Sequence, residues 1–142
     1  MKGESYLVDT SAWIEFLRPN GSRKIREYVT SLILNDQAVT IGIVKAEVLQ
    51  GTRSQKEFDD LERRFGAIRY YPFEEALWEE VFRTAFQMRR KGFNTPVTDV
   101  IIGVLALSKG ATVVHADKHF DELAGVTGLK VTSYVSEVKK RS

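Results

Sequence analysis

Cysteine is absent from the 142 residues, which excludes disulfide staples, thiolate metal sites and cysteine nucleophiles. The same absence fits a reducing cytoplasm. Proline occurs only three times, and no Pro/Gly/Ser-rich or low-complexity stretch divides the chain, so a single domain over residues 1–142 is expected. No apolar run approaches the roughly 18 residues needed to span a bilayer, and no membrane partner is expected. The opening Met1-Lys2-Gly3-Glu4-Ser5 leads into an apolar stretch too short for a secretory signal and broken at once by Asp9. Charge of one sign is missing too: 21 Lys and Arg face 19 Asp and Glu, for a formal net of +2. That balance excludes a polybasic, histone-like binder, but a near-neutral sum can hide separated acidic and basic patches.

What is present is a chain with 43% hydrophobic residues in which short apolar runs alternate with helical patterns. Tyr6-Leu7-Val8, Ala38 to Ile41, Ile68 to Tyr71, Ala111 to Val114 and Leu129 to Thr132 read as strands. Between them lie helical spacings: Thr10 or Ser11 to Leu17, Ser22 to Leu34, Val44 to Gln50, Ser54 to Phe65, Glu74 to Arg90, Asp99 to Ser108 and Asp117 toward Leu123. A terminal helix is expected near Val135. Ser54 with Glu57 has the form of a capping box. The alternation predicts an α/β fold, a three-layer sandwich with a central parallel sheet of about five strands.

In such a sheet ligands bind beyond the carboxyl ends of the strands, where strand order reverses. Asp9 and Asp117 stand just past strands. Glu47 lies one turn after the second strand, and Asp99 opens an apolar helix before the fourth. Each Asp could simply cap a helix. A carboxylate heading the run Val100 to Leu107 nevertheless needs a compensating partner, and four acids at one sheet edge would repel one another. A divalent cation resolves that repulsion, and an all-oxygen set suits Mg²⁺ or Mn²⁺ better than zinc. His115 and His119 straddle a strand end and need not face the same way. The expectation is that one positions Asp117 or contacts a phosphate and the other is solvated.

The stretches Leu7-Val8-Asp9-Thr10-Ser11-Ala12-Trp13, Lys45-Ala46-Glu47-Val48-Leu49-Gln50-Gly51, Thr98-Asp99-Val100-Ile101-Ile102-Gly103 and His115-Ala116-Asp117-Lys118-His119-Phe120 resemble, in order and spacing, the four motifs of PIN-domain proteins. Among these the chain is most similar to VapC-type toxins of prokaryotic toxin–antitoxin modules. The resemblance implies a cytoplasmic, metal-dependent endoribonuclease in which Asp9, Glu47, Asp99 and Asp117 form the catalytic acidic tetrad, leaving a 5′-phosphate and a 3′-hydroxyl. It also implies an antitoxin partner, a homodimer, and support of the metal site by Thr10 or Ser11. His115 and His119 depart from the family pattern at positions that often carry a hydroxyl residue and a further acid. Asp121 is the candidate to replace that acid through a water.

An acidic centre repels RNA, so a basic rim must hold the backbone. Candidates are Arg18, Arg89, Arg90, Lys91 and Lys118, with the Lys139-Lys140-Arg141 tail. Trp13 and Phe16 could stack on bases, but their helix positions favour the core. A phosphoacceptor receiver is disfavoured because Asp9 is a single acid and the third strand ends in Tyr71-Pro72-Phe73. A haloacid-dehalogenase-like phosphatase would need a second acid at Ser11. The alternative from another class is a PIN-fold RNA- or protein-binding module with little catalysis, marked by erosion of the tetrad, which this chain does not show.

Overall fold

Tyr6–Val8 (β1) is apolar and flanked by polar residues, and it becomes the central strand of a five-stranded, all-parallel sheet. The computed structural model describes residues 3–139. Its other strands are Ala38–Thr40 (β2), Arg69–Tyr70 (β3), Thr112–His115 (β4) and Val131–Ser133 (β5), in the order β3-β2-β1-β4-β5. β1 pairs with β2 through Tyr6↔Ala38 and with β4 through Tyr6↔Thr112. Every residue of β2 and β4 is buried. Successive strand side chains point to opposite faces, so both faces are covered and the sandwich has three layers.

The helices are Thr10–Leu17 (α1), Arg23–Leu34 (α2), Gly42–Gln50 (α3), Gln55–Phe65 (α4), Trp78–Arg90 (α5), Val97–Lys109 (α6), Lys118–Thr127 (α7) and Val135–Lys139 (α8). Asp9, Ser22, Ser54 and Asp117 cap α1, α2, α4 and α7 by accepting backbone N–H bonds. α6 is apolar on every side and is buried from Asp99 to Ala106, as expected of a helix enclosed within a core. Full burial of Val100, Ile102 and Leu105 contributes roughly 1.5–3 kcal/mol per side chain. Gly110, at φ 65°, ends α6 in a left-handed cap.

Several boundaries differ from those expected. α3 begins at Gly42 rather than Val44, with no side-chain cap to mark the start. α6 begins at Val97, because Pro96 supplies the fixed φ of the residue that precedes the first turn. The helix expected from Glu74 opens instead as a 3₁₀ turn, Glu75–Leu77, before α5. β4 and β5 run one or two residues later than expected. The tight passage from α1 to α2 depends on Gly21, where an added Cβ would lie 1.8 Å from the Glu15 carbonyl oxygen. Among the described residues no helix is long and apolar enough to cross a membrane. Lys140 and Arg141 lie outside the described residues.

Candidate active site

The chain leaves β1 for β2 on one side of the sheet and later enters β4 on the other, so strand order reverses between β1 and β4. The crevice lies beyond their carboxyl ends, and Asp9 and Asp117 flank it. Asp9 is only 3% exposed. Its Oδ2 accepts from the Ser11 backbone N–H at 3.0 Å and from Ser11 Oγ at 2.6 Å. Ser11 Oγ also accepts from the Ala116 N–H at 2.9 Å. One hydroxyl thereby ties the end of β1 to the end of β4. Ser11 supports the site through these bonds as well as through its place in the first turn of α1.

Asp117 caps α7 with Oδ1, which accepts the His119 N–H at 3.0 Å. Asp99 sits inside the first turn of α6 and is not its cap, so capping does not explain why an acid stands there. Asp99, Asp117 and His119 each present a ligand atom within 4.8 Å of the others. Glu47 reaches the same neighbourhood from α3, and its Oε1 accepts from Thr10 Oγ1 at 2.6 Å. Thr10 and Ser11 thus serve different acids, Glu47 and Asp9 respectively.

The electrostatics record this convergence. Asp99 is pushed up to about 8, first by burial and then by the negative charges of Asp9, Asp117 and Glu47. Asp9 is pushed up to about 6, mainly by burial, against the opposing bonds from Ser11. Carboxyls that cannot all ionise together fit a site completed by a cation. Their hard oxygen donors fit a divalent ion of the Mg²⁺ and Mn²⁺ class.

His115 is fully buried, and its Nδ1 accepts the Asp117 N–H at 3.1 Å. The proton therefore resides on Nε2, which lies 3.2 Å from Asp121 Oδ1 in a close contact that falls short of hydrogen-bond geometry. Burial holds His115 below its usual pKa, with the neighbouring Asp121 and Asp117 charges opposing. Asp121 also accepts from Ser133 Oγ at 3.0 Å. Asp121 thus faces Ser133 of β5 and the His115 ring. The His115 contact with the Asp117 N–H agrees with the expectation that one histidine positions Asp117, while His119 is partly buried and lies beside Asp99 and Asp117 rather than standing free in solvent.

Lys118 is exposed beside Asp117. α5 and α6 pack together and are joined by residues 91–96. This sets exposed Arg89, Arg90 and Lys91 at the end of the molecule where Asp99 lies. Arg18 is paired with Glu15 at 3.2 Å. It lines a groove of about 520 Å³ shared with Glu47, Arg53 and Glu57. Arg53 was missing from the basic residues read in the sequence, where nothing but its distance from Gly51 marked it. Trp13 is buried against Phe16 and Phe65 in edge-on contacts, so it belongs to the core.

A sequence profile described as PIN domain matches residues 6–126. The chain is 29% identical over 133 residues to Ribonuclease VapC11 of Mycobacterium tuberculosis, covering 90% of this chain and 98% of that protein. Its fold is similar to that of FitAcB from Neisseria gonorrhoeae, with a TM-score of 0.72 and 23% identity over 89% of this chain and 95% of the other. It is also similar to DNA-bound VapBC from Salmonella typhimurium, with a TM-score of 0.74 and 18% identity over 92% and 98% of the two chains.

Proposed function

Because the chain belongs to the PIN domain family, we propose that it is a metal-dependent endoribonuclease, the toxin of a toxin–antitoxin pair, cutting RNA phosphodiester bonds at the Asp9, Glu47, Asp99 and Asp117 cluster. The observation that carries this reading is the meeting of Asp99, Asp117 and His119 within 4.8 Å at one sheet edge, with Asp9 and Glu47 near enough for their charges to add to the effect of burial on the Asp99 carboxyl. The naming of its relatives as VapC ribonucleases supports the same reading.

Asp9, Asp99 and Asp117 would hold the cation, Mg²⁺ or Mn²⁺, and Glu47 would hold a second ion or act as the base. Bound there, such an ion supplies a Lewis-acid centre that lowers the pKa of a water and offsets charge developing on the scissile phosphate. As the base, Glu47, turned by the Thr10 hydroxyl, accepts the proton of the attacking water. Ser11 fixes the Asp9 carboxylate and links it to the Ala116 backbone, so the distance between the first and fourth acids is set by the sheet seam. Lys118, Arg89, Arg90, Lys91 and Arg18 hold RNA phosphates around this acidic floor.

The groove beside Glu47 receives a segment of the antitoxin, whose Arg or Lys offsets the acids as a cation does. Phe82 and Phe86 are 60% and 67% exposed on α5, and we assign them to the homodimer surface because the core does not absorb them. The chain acts in the cytoplasm.

The test is cleavage of a single-stranded RNA by the purified protein with Mg²⁺ or Mn²⁺. Asp9→Asn and Asp99→Asn are expected to abolish cleavage with circular dichroism unchanged, since Asn still caps α1. Equal cleavage in chelator, or by both variants, overturns the proposal.

A further inference from the structure

His119 carries a ring nitrogen within 4.8 Å of ligand oxygens of both Asp99 and Asp117. The backbone holds it there: its own N–H caps onto Asp117 Oδ1 at 3.0 Å. Its Nδ1 lies 3.4 Å from Glu122 Oε1, one turn further along α7. In the tautomer that donates Nδ1–H toward this carboxylate, the Nε2 lone pair is the available donor. A carboxylate behind the far nitrogen of an imidazole is the arrangement that orients metal-bound histidines.

We propose that His119 is a direct ligand of the cation held by Asp99 and Asp117, with Glu122 as its positioning residue, making this a mixed nitrogen and oxygen site. The proposal rests on the metal-site reading above. Its chemical consequence is selectivity. Mg²⁺ holds almost exclusively to hard oxygen donors, whereas Mn²⁺, though also oxygen-preferring, accepts an imidazole nitrogen more readily, so the site favours Mn²⁺ over Mg²⁺ more strongly than four carboxylates alone would. The departure at His119 is then a change of donor rather than a lost ligand.

The experiment is pulsed EPR of the Mn²⁺-loaded protein, with Mn²⁺ and Mg²⁺ affinities from titration, on the wild type and on His119→Ala, His119→Gln, Glu122→Gln and Asp99→Asn. The wild type is expected to show the ¹⁴N modulation of a coordinated imidazole, and both His119 variants to lose it. The Mn²⁺ affinity of His119→Ala should fall about 10- to 100-fold and that of Glu122→Gln about tenfold, while Mg²⁺ affinity falls less. Thermal melts identify any variant that has not folded, and Gln keeps an amide of similar reach in that position. If Mn²⁺ binds without ¹⁴N modulation and His119→Ala binds it as tightly, the ligand assignment is overturned while the acid cluster stands. If His119→Ala changes only KM for RNA, His119 is a phosphate contact and the assignment is likewise overturned. If Mn²⁺ fails to bind the wild type, or binds Asp99→Asn equally well, the acid-cluster reading falls and takes this one with it.

Discussion

Replacing Asp99 by Asn should stabilise the metal-free protein while removing its response to metal. Burial and three neighbouring acids push the Asp99 carboxyl from 3.8 up to about 8. A folded-state value above the unfolded one means that the folded state binds a proton more tightly. Stability is therefore complete below about pH 4 and is lost as pH rises toward 8. At pH 7 the unfolded chain has released this proton and the folded chain still holds it, a difference of about 4 kcal/mol at roughly 1.36 kcal/mol per pH unit. Asn does not titrate, but its amide must also be desolvated, so a net gain of about 2 kcal/mol is the expected size. For a domain of this length that corresponds to roughly 6 °C in Tm. The assay is urea denaturation in chelator across pH 4 to 8. Near pH 4 the variant should be about 2 kcal/mol less stable than the wild type, because only the amide cost remains; the curves should cross between about pH 5 and 6, and the variant should lead by about 2 kcal/mol at pH 7. Added Mg²⁺ or Mn²⁺ should raise the wild type and leave Asp99→Asn unchanged. A variant that is less stable than the wild type at pH 7, or a difference that does not vary with pH, refutes the reasoning.

Thr10→Val keeps the side-chain shape but removes the 2.6 Å bond to Glu47; kcat for RNA cleavage is expected to fall about tenfold with KM unchanged, and an unaltered kcat would deny Thr10 its role. Gly21→Ala sets a Cβ 1.8 Å from the Glu15 carbonyl oxygen, beside a carboxylate that is only 3% exposed and accepts the Ser22 N–H at 2.9 Å. A loss of about 3 kcal/mol in denaturant titration is expected from that overlap, and a change within about 0.5 kcal/mol, the range of ordinary surface substitutions, would contradict it.

The acids at strand ends were legible because charge next to an apolar run stands out. Asp9 follows Val8, Asp99 heads the run Val100 to Leu107, and Asp117 follows β4. Glu47 was legible more weakly, as a charge among the apolar residues Val44, Ala46, Val48 and Leu49 one turn after β2, and the family motif reinforced it. The direction of His119 was not legible for a geometric reason: the backbone passes from strand to helix at Asp117, and alternation no longer says which way a side chain two residues on will point. The direction of Asp121 was hidden in the same way, set by α7 toward Ser133. The start of α3 carries no side-chain cap, so nothing in the sequence announces it. Strand order depends on pairings such as Val39↔Arg69 and Val113↔Val131, which local patterns do not contain.

The pairing of Tyr6 with Thr112 bears on when the site is assembled. β1 leaves the ribosome first, yet its central place in the sheet is filled on one side only by a strand about a hundred residues later, a contact of high sequence separation that forms slowly. Until β4 and the first turn of α7 emerge, Asp9 has no Asp117 opposite it, the Ser11 hydroxyl has no Ala116 N–H to hold, and the ring of His115 is not yet there to fix the seam. A chain that lacks β4 and α7 has no assembled acid cluster. The four acids therefore come together only once β4 and the start of α7 have joined the sheet.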